Sequence, residues 1–137
     1  MILADAGPLV ALFDPRDPHH QSCRRIRRKI REPIHSTVPV LTEAFHLLHP
    51  ASIGADRLRE FIVRGGLLMW FLDDASLARA FELMESYADR PMDLADASLV
   101  VAAEALQTRK IFTIDRSDFE TYRVRQGHRY CPFEVIS

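Results

Sequence analysis

Two aspartates in this sequence each come directly after an apolar run of strand length. Asp5 follows the run at residues 1–4, and Asp115 follows the run at residues 110–114. Both runs are predicted to be short buried strands. Ligands of open α/β sheets bind beyond the carboxyl ends of the strands, so both carboxylates are predicted to lie at a ligand site. The structural alternative for Asp5 is that it only opens the turn after its strand.

Two further acids lie near the starts of predicted helices. Glu43 belongs to a helix over residues 38–48, about 40° from the apolar face on a helical wheel. Asp96 lies in line with Val100 on a helix that is apolar nearly all round. A structural role competes in both cases, because glutamates are common on surfaces and a carboxylate in the first helical turn suits the helix dipole.

These four acids could converge at one edge of the sheet. Carboxylates about 4 Å apart repel by roughly 1 to 4 kcal/mol per pair, so such a cluster is costly unless it binds cations. Oxygen ligands without Cys or His suit Mg²⁺ or Mn²⁺. A site of this kind is suited to phosphodiester hydrolysis. Zinc is not expected, since His46 and His49 have no Cys or further His beside them to complete a ligand set.

Strands and helices alternate along the chain, which predicts an α/β fold with a mainly parallel sheet. Thr37 and Ser117 are predicted to cap the helices that follow them. The third predicted strand is apolar throughout and is expected to be covered on both faces. The predicted strands cover residues 1–4, 34–37, 67–72, 110–114 and 134–136. The predicted helices cover residues 8–12, 19–31, 38–48, 55–64, 75–87, 93–106 and a segment from 116 onwards.

Composition limits the class of protein. A chain of 137 residues with 47% hydrophobic content fits one domain over residues 1–137. Two cysteines are too few for a disulfide framework, which favours a reducing compartment and a cytoplasmic location. Neither a signal peptide nor a membrane-spanning segment is expected. The net charge of −1 argues against a partner bound by bulk positive charge.

Basic residues are concentrated on the helix predicted over residues 19–31. Its apolar stripe contains Cys23, Ile26 and Ile30, which leaves the remaining faces strongly basic. Such a surface is usually only solvated, and contact with nucleic acid is the competing interpretation. The candidate RNA-binding residues are Arg24, Arg25, Arg27 and Arg28.

Four stretches together resemble the PIN-domain ribonucleases, and within that superfamily the VapC-type toxins of bacterial toxin–antitoxin pairs. Each stretch is weak alone, but their order and spacing are specific, and the resemblance covers essentially all 137 residues. The stretches are ILADAGPLVAL at residues 2–12, VLTEA at 40–44, DLADASL at 93–99 and FTIDRSDF at 112–119.

The resemblance implies an endoribonuclease that depends on Mg²⁺ or Mn²⁺. It also implies a three-layer α/β/α PIN-like fold with a five-stranded sheet of order 3-2-1-4-5, a homodimer, and a small antitoxin that blocks the site. The alternative is a non-catalytic PIN-like module that binds RNA or protein. The metal-binding acids implied are Asp5, Glu43, Asp96 and Asp115, with Thr113 as a possible polar helper.

One position departs from the pattern of that family. Thr or Ser usually follows the first aspartate, and this chain has Ala6. We expect the missing hydroxyl to weaken support for the metal ligands rather than remove activity, since such outer partners typically tune metal affinity by about 10- to 100-fold.

Overall fold

Five short strands form a parallel sheet in a computed structural model that describes residues 1–137. Neighbouring strands run in the order β3-β2-β1-β4-β7, and every pair is parallel. The last strand of the chain takes the outer place that the sequence analysis assigned to the fifth strand, so the predicted order is confirmed. The strands of the chain are β1 (Ile2–Ala4), β2 (Ile34–Ser36), β3 (Leu68–Met69), β4 (Lys110–Phe112), β5 (Arg123–Gln126), β6 (Arg129–Pro132) and β7 (Glu134–Ile136).

Helices cover both faces of the sheet, as the predicted three-layer arrangement requires. Ile2 packs in a small core with Ala11 and Cys23, whereas its neighbour Leu3 belongs to a larger core of 27 buried residues. None of the helices combines the length and the apolarity needed to cross a bilayer. They are α1 (Ala6–Phe13), α2 (His20–Lys29), α3 (Val38–Leu48), α4 (Ile53–Val63), α5 (Asp74–Ser86), α6 (Leu94–Leu106) and α7 (Arg116–Thr121).

An antiparallel hairpin of β5 and β6 lies outside the main sheet, and the sequence analysis did not predict it. Its turn contains Gly127 at a φ of 62°, a conformation that favours glycine. Val124 is the one buried residue of the two strands. A strand is identified from sequence by the alternation of apolar and polar residues. A hairpin with one inward side chain shows almost none of this alternation.

The expectation that the third strand would be covered on both faces is wrong. The strand is only Leu68–Met69, and it lies at the edge of the sheet. Leu68 is 42% exposed, and Phe71, which was predicted to belong to the strand, is 68% exposed. An apolar run signals burial, but it does not distinguish a central strand from an edge strand whose neighbours are missing on one side.

A buried hydroxyl pair joins the starts of the two helices that carry Glu43 and Asp96. Thr37 makes no capping bond with its side chain, so its predicted role is wrong. Its Oγ1 instead lies 2.6 Å from Oγ of Ser98, and the Ser98 hydroxyl donates to the Ala95 carbonyl at 2.6 Å. A hydroxyl has one hydrogen, so Thr37 is the donor to Ser98. This bond fixes the start of α3 against α6.

Thr37→Val should lower the free energy of unfolding by about 1 kcal/mol, because it removes a buried hydrogen bond while keeping the shape of the side chain. Urea unfolding at neutral pH measures the change. Thr42→Val is the matched control, since Thr42 is exposed on the same helix and bonds only to the local Val38 carbonyl. Its effect should stay within about 0.5 kcal/mol. Equal losses in the two variants would contradict a special role for the Thr37–Ser98 bond.

Candidate active site

All four predicted acids line one cleft of about 500 Å³. The cleft lies beyond the carboxyl ends of β1 and β4, where Asp5 and Asp115 were expected. Two acids that had not been assigned to the site, Asp93 and Asp118, also line it. Six carboxylates from four segments of the chain are therefore brought to one concave surface. Its lining residues are Asp5, Ala6, Gly7, Glu43, Leu47, Asp93, Asp96, Ile114, Asp115 and Asp118.

Asp5 is the N-cap of α1, and both of its carboxylate oxygens accept hydrogen bonds. Oδ1 accepts from the Ala6 N–H at 2.8 Å, and Oδ2 accepts from the Thr113 hydroxyl at 2.9 Å. Thr113 is buried, and its Oγ1 also accepts from the Asp115 N–H at 3.0 Å. Thr113 therefore ties Asp5 to the backbone of Asp115.

Burial raises the pKa of the Asp5 carboxyl from 3.8 to about 6. The hydrogen bonds from Ala6 and Thr113 oppose this rise because they stabilise the charged form. The negative charges of Glu43 and Asp115 add to it. Asp5 is thus both desolvated and within electrostatic reach of two of the other predicted acids.

Asp96 is held by contacts at two points in the first turn of α6. Its backbone N–H donates to Oδ1 of Asp93, the N-cap, at 2.8 Å. Its Oδ2 accepts from the Tyr122 hydroxyl at 2.9 Å. Burial is the largest cause that raises the pKa of Asp96 to about 7, and the charge of Asp93 is the next. Asp96 lies in the capped first turn of α6 and also lines the cleft, so its structural and functional interpretations do not exclude each other.

Tyr122 was not among the site residues predicted from the sequence. It is fully buried, and burial together with Asp96 holds the pKa of its phenol well above the ordinary value, so the hydroxyl stays protonated. The contact spans 26 positions of sequence and follows no spacing rule. The sequence offered only a chemical indication of this contact, since a buried tyrosine hydroxyl usually needs a hydrogen-bond partner.

Asp115 caps α7, so the predicted cap at Ser117 is wrong. The Asp115 carboxylate accepts from the Asp118 N–H at 3.4 Å. Ser117 instead accepts a bond from Arg90, whose guanidinium also pairs with Asp118 at 3.0 Å. Burial, followed by the neighbouring carboxyl of Asp118, raises the pKa of Asp115, and Arg90 partly offsets this effect. Arg90 therefore places one positive charge beside the acids.

Glu43 lies at the exposed rim of the cleft. Partial burial raises the pKa of its carboxyl, and the charge of Asp93 on the facing helix raises it further. The helical wheel had placed Glu43 at the margin of the apolar face, and it lies next to buried Ala44 on α3. From the rim its flexible side chain can reach inward.

The donor set of the cleft fits a hard divalent cation. Its potential ligands are carboxylate oxygens without Cys or His, the set that suits Mg²⁺ or Mn²⁺. The raised pKa values of Asp5 and Asp96 show that the chain compensates their negative charge only partly. No three of these side chains already surround one point in the way that would hold an ion. Binding would therefore require side-chain adjustment.

The candidate RNA-binding arginines lie on α2, and none of them lines the cleft. Arg24, Arg25 and Arg28 are exposed. Arg27 is half-buried, with its guanidinium 5.4 Å from the ring centre of Phe61, and its Nε is buried without a hydrogen-bond partner. The structure thus divides the set into one packed arginine and three solvent-facing ones.

Comparisons with known proteins agree with this architecture. The PIN domain family matches residues 2–124. The chain is 29% identical to ribonuclease VapC26 of Mycobacterium tuberculosis (strain ATCC 25618 / H37Rv) over 136 residues, which cover 94% of this chain and 97% of the relative.

Two solved structures share the fold at low sequence identity. Mycobacterium tuberculosis VapC20, described as a toxin that cleaves the sarcin-ricin loop, has a TM-score of 0.76 at 16% identity, over 86% of this chain and 94% of that one. FitAB bound to a DNA fragment has a TM-score of 0.58 at 18% identity, over 87% and 88% of the two chains. With the family model matched over most of its length, the chain belongs to the PIN-domain family.

Proposed function

We propose that this chain is an endoribonuclease that hydrolyses RNA phosphodiester bonds with Mg²⁺ or Mn²⁺. The observation that carries the proposal is the meeting of the four predicted acids, from four separate segments, in one cleft. The name of the curated relative VapC26, a ribonuclease, supports the reaction class. The proposed metal ligands are Asp5, Glu43, Asp96 and Asp115.

Each part of the cleft has a role in the proposed reaction. The bound metal supplies the nucleophilic water and stabilises charge on the phosphorus oxygens. Thr113 orients Asp5, and the capped turn of α6 presents Asp96. Protons compete with metal for Asp96, because its pKa of about 7 lies near neutral pH. Arg90 offers a cation at the edge of the cleft, where an RNA phosphate would approach.

The proposed partners extend this function. The exposed side of α2, with Arg24, Arg25 and Arg28, is suited to RNA phosphates, whereas Arg27 contributes mainly by packing. We further propose that the chain is the toxin of a toxin–antitoxin pair, acts as a homodimer in the cytoplasm, and is blocked by a small antitoxin. The description of VapC20 as a toxin supports this assignment.

A non-catalytic PIN-like module that binds RNA or protein is the second candidate. Two observations favour it: no three acids already surround one point, and Ala6 lacks the usual hydroxyl. Incubation of the purified chain with labelled RNA, with Mn²⁺ or with EDTA, separates the candidates. Fragments with defined ends that appear only with Mn²⁺ support the nuclease, and bound but intact RNA supports the module.

Asp96→Asn should reduce Mn²⁺-dependent cleavage by more than about 100-fold, beyond what removal of an outer partner causes, because it removes a proposed ligand charge at constant volume. Asp93→Asn is the matched control in the same helical turn. Asparagine is also a good N-cap, so the reduction there should stay below about 10-fold. Rates are measured on one labelled RNA after circular dichroism has verified both folds. Equal reduction in the two variants would show that the division of roles between them is wrong.

The stability of the metal-free protein should depend on pH through Asp5 and Asp96. Their folded pKa values, about 6 and about 7, lie above the ordinary 3.8, so their stabilising contribution is complete below about pH 4 and is lost as pH rises through 7. In EDTA, Asp5→Asn should therefore melt higher than the wild type at pH 8, and the difference should shrink at pH 5. Asp56→Asn, an exposed change outside the cleft, should show no such trend.

The same melts at pH 8 test the metal site. Mn²⁺ should stabilise the wild type by mass action and should stabilise Asp5→Asn much less, because a proposed ligand charge is missing. If Asp5→Asn melts below the wild type in EDTA and both proteins gain equally from Mn²⁺, the acids do not form a shared metal site.

Replacing Arg24 and Arg25 with Gln should weaken RNA binding whatever the RNA sequence. The slope of log affinity against log salt should flatten by about 0.7 for each phosphate of a single strand that the variant no longer neutralises. Binding is measured in EDTA, so that metal-dependent cleavage does not interfere. An unchanged slope would mean that this face of α2 is only solvated.

A further inference from the structure

The two most buried acids of the cleft, Asp5 and Asp96, have the same kind of partner: a neutral hydroxyl donates a hydrogen bond to one oxygen of each carboxylate. Thr113 donates to Asp5, and Tyr122 donates to Asp96. We propose that Tyr122 is a positioning residue that orients the Asp96 carboxylate for binding a divalent metal. This inference rests on the function proposed above. The resemblance implies Thr113 as a possible polar helper, but it gives no role to Tyr122.

The ring of Tyr122 is held rigidly enough to impose an orientation on its partner. Tyr87 and Phe119 contact it edge to face, with ring centres 5.2 and 5.3 Å away and interplanar angles of 76° and 82°. Phe119 in turn packs against Phe133 at 5.3 Å. Tyr122 is fully buried, and its backbone N–H donates to the Asp118 carbonyl at 3.0 Å, which fixes it at the end of α7.

The geometry leaves Oδ1 of Asp96 without a hydrogen-bond partner. The Asp93 cap fixes the backbone of Asp96, and the Tyr122 bond occupies Oδ2, so rotation of the carboxylate is restricted and Oδ1 keeps a defined direction. A metal ligand whose second oxygen is hydrogen-bonded is oriented before binding, which raises affinity. Because the phenol is neutral at neutral pH, it holds the carboxylate without cancelling the charge that attracts a cation.

Tyr122 also joins Asp96 to another part of the cleft. The six-residue helix α7 begins after Asp115 and ends immediately before Tyr122. One short helix therefore places a proposed metal ligand at its start and the orienting hydroxyl just past its end. A shift of α7 would disturb Asp115 and Asp96 together.

A purely structural role is the competing interpretation, since a buried phenol needs an acceptor and Asp96 supplies one. Tyr87 provides the matched control for it. The hydroxyl of Tyr87 belongs to the same aromatic cluster, but it accepts from the Arg123 N–H at 3.0 Å and does not contact Asp96. Tyr87→Phe and Tyr122→Phe each remove one hydrogen-bonding hydroxyl and keep the ring.

The test measures Mn²⁺ affinity without RNA, from the electron paramagnetic resonance signal of free Mn²⁺ during titration at pH 7.5. Tyr122→Phe should bind Mn²⁺ about 10- to 100-fold more weakly than the wild type, the range typical for partners that orient a ligand. Tyr87→Phe should bind within about 2-fold of the wild type, well below that range. Wild-type affinity in Tyr122→Phe, or equal weakening in both variants, would overturn the positioning role.

A double-mutant cycle gives a second readout that a structural role would not produce. In an Asp96→Asn background, adding Tyr122→Phe should not weaken Mn²⁺ binding further, because the hydroxyl acts through the Asp96 carboxylate. Additive weakening would contradict the proposal. A wild type that shows no Mn²⁺ binding would overturn the proposed function and the positioning role together, whereas tight binding by the wild type and by Tyr122→Phe would overturn the positioning role alone.

Discussion

The loss of solvation by partly buried carboxylates, to which their mutual repulsion adds, is the constraint on which the architecture of the cleft depends. Burial is the largest cause of the raised pKa of both Asp5 and Asp96, and neighbouring acids add to it. A carboxylate that loses water must regain stabilisation from hydrogen bonds, from opposite charge or from a proton. The chain uses mainly hydrogen bonds from neutral donors: the Ala6 N–H, the Thr113 and Tyr122 hydroxyls, and the Asp96 N–H donated to Asp93.

Neutral donors have a consequence for function that charged partners would not have. An arginine or lysine paired with each acid would stabilise the empty cleft, but it would also neutralise the charge that attracts a cation. Arg90 is the cation beside the acids, and its pairing with Asp118 leaves Asp5 and Asp96 without a positive partner. The metal-free cleft is thus a local weakness of the fold, in keeping with the general trade of stability for function at active sites.

The scaffold around the cleft offsets this weakness with contacts that place each helix start. The buried Thr37–Ser98 pair sets α3 against α6, and the bond from Tyr122 to Asp96 ties the end of α7 to α6. The backbone of Ala6 also takes part in the site, although its side chain carries no hydroxyl. Ala6 is buried, its N–H donates to Oδ1 of Asp5, and the hydroxyl that supports Asp5 comes from Thr113, which donates to the other carboxylate oxygen.

Residue patterns alone determined the α/β class, the mainly parallel sheet and the helices that carry the acids. These follow from short-range periodicity and from the alternation of strands and helices. The order of the five strands came only from the resemblance to the PIN-domain family. The residue patterns also selected Asp5, Glu43, Asp96 and Asp115, because each lies at a strand end or near a helix start. All four line the cleft.

Contacts between residues distant in sequence were decided only by the tertiary structure. The partner of a buried hydroxyl depends on which elements pack together, so Thr37 bonds to Ser98 rather than to its own helix, and Tyr122 reaches Asp96. Exposure is also decided by position in the sheet, which is why the apolar residues at Leu68 and Phe71 lie at an open edge. The local sequence pattern encodes the secondary structure that each segment prefers. The hydrogen-bond partners of its polar atoms depend on neighbours that only folding brings close.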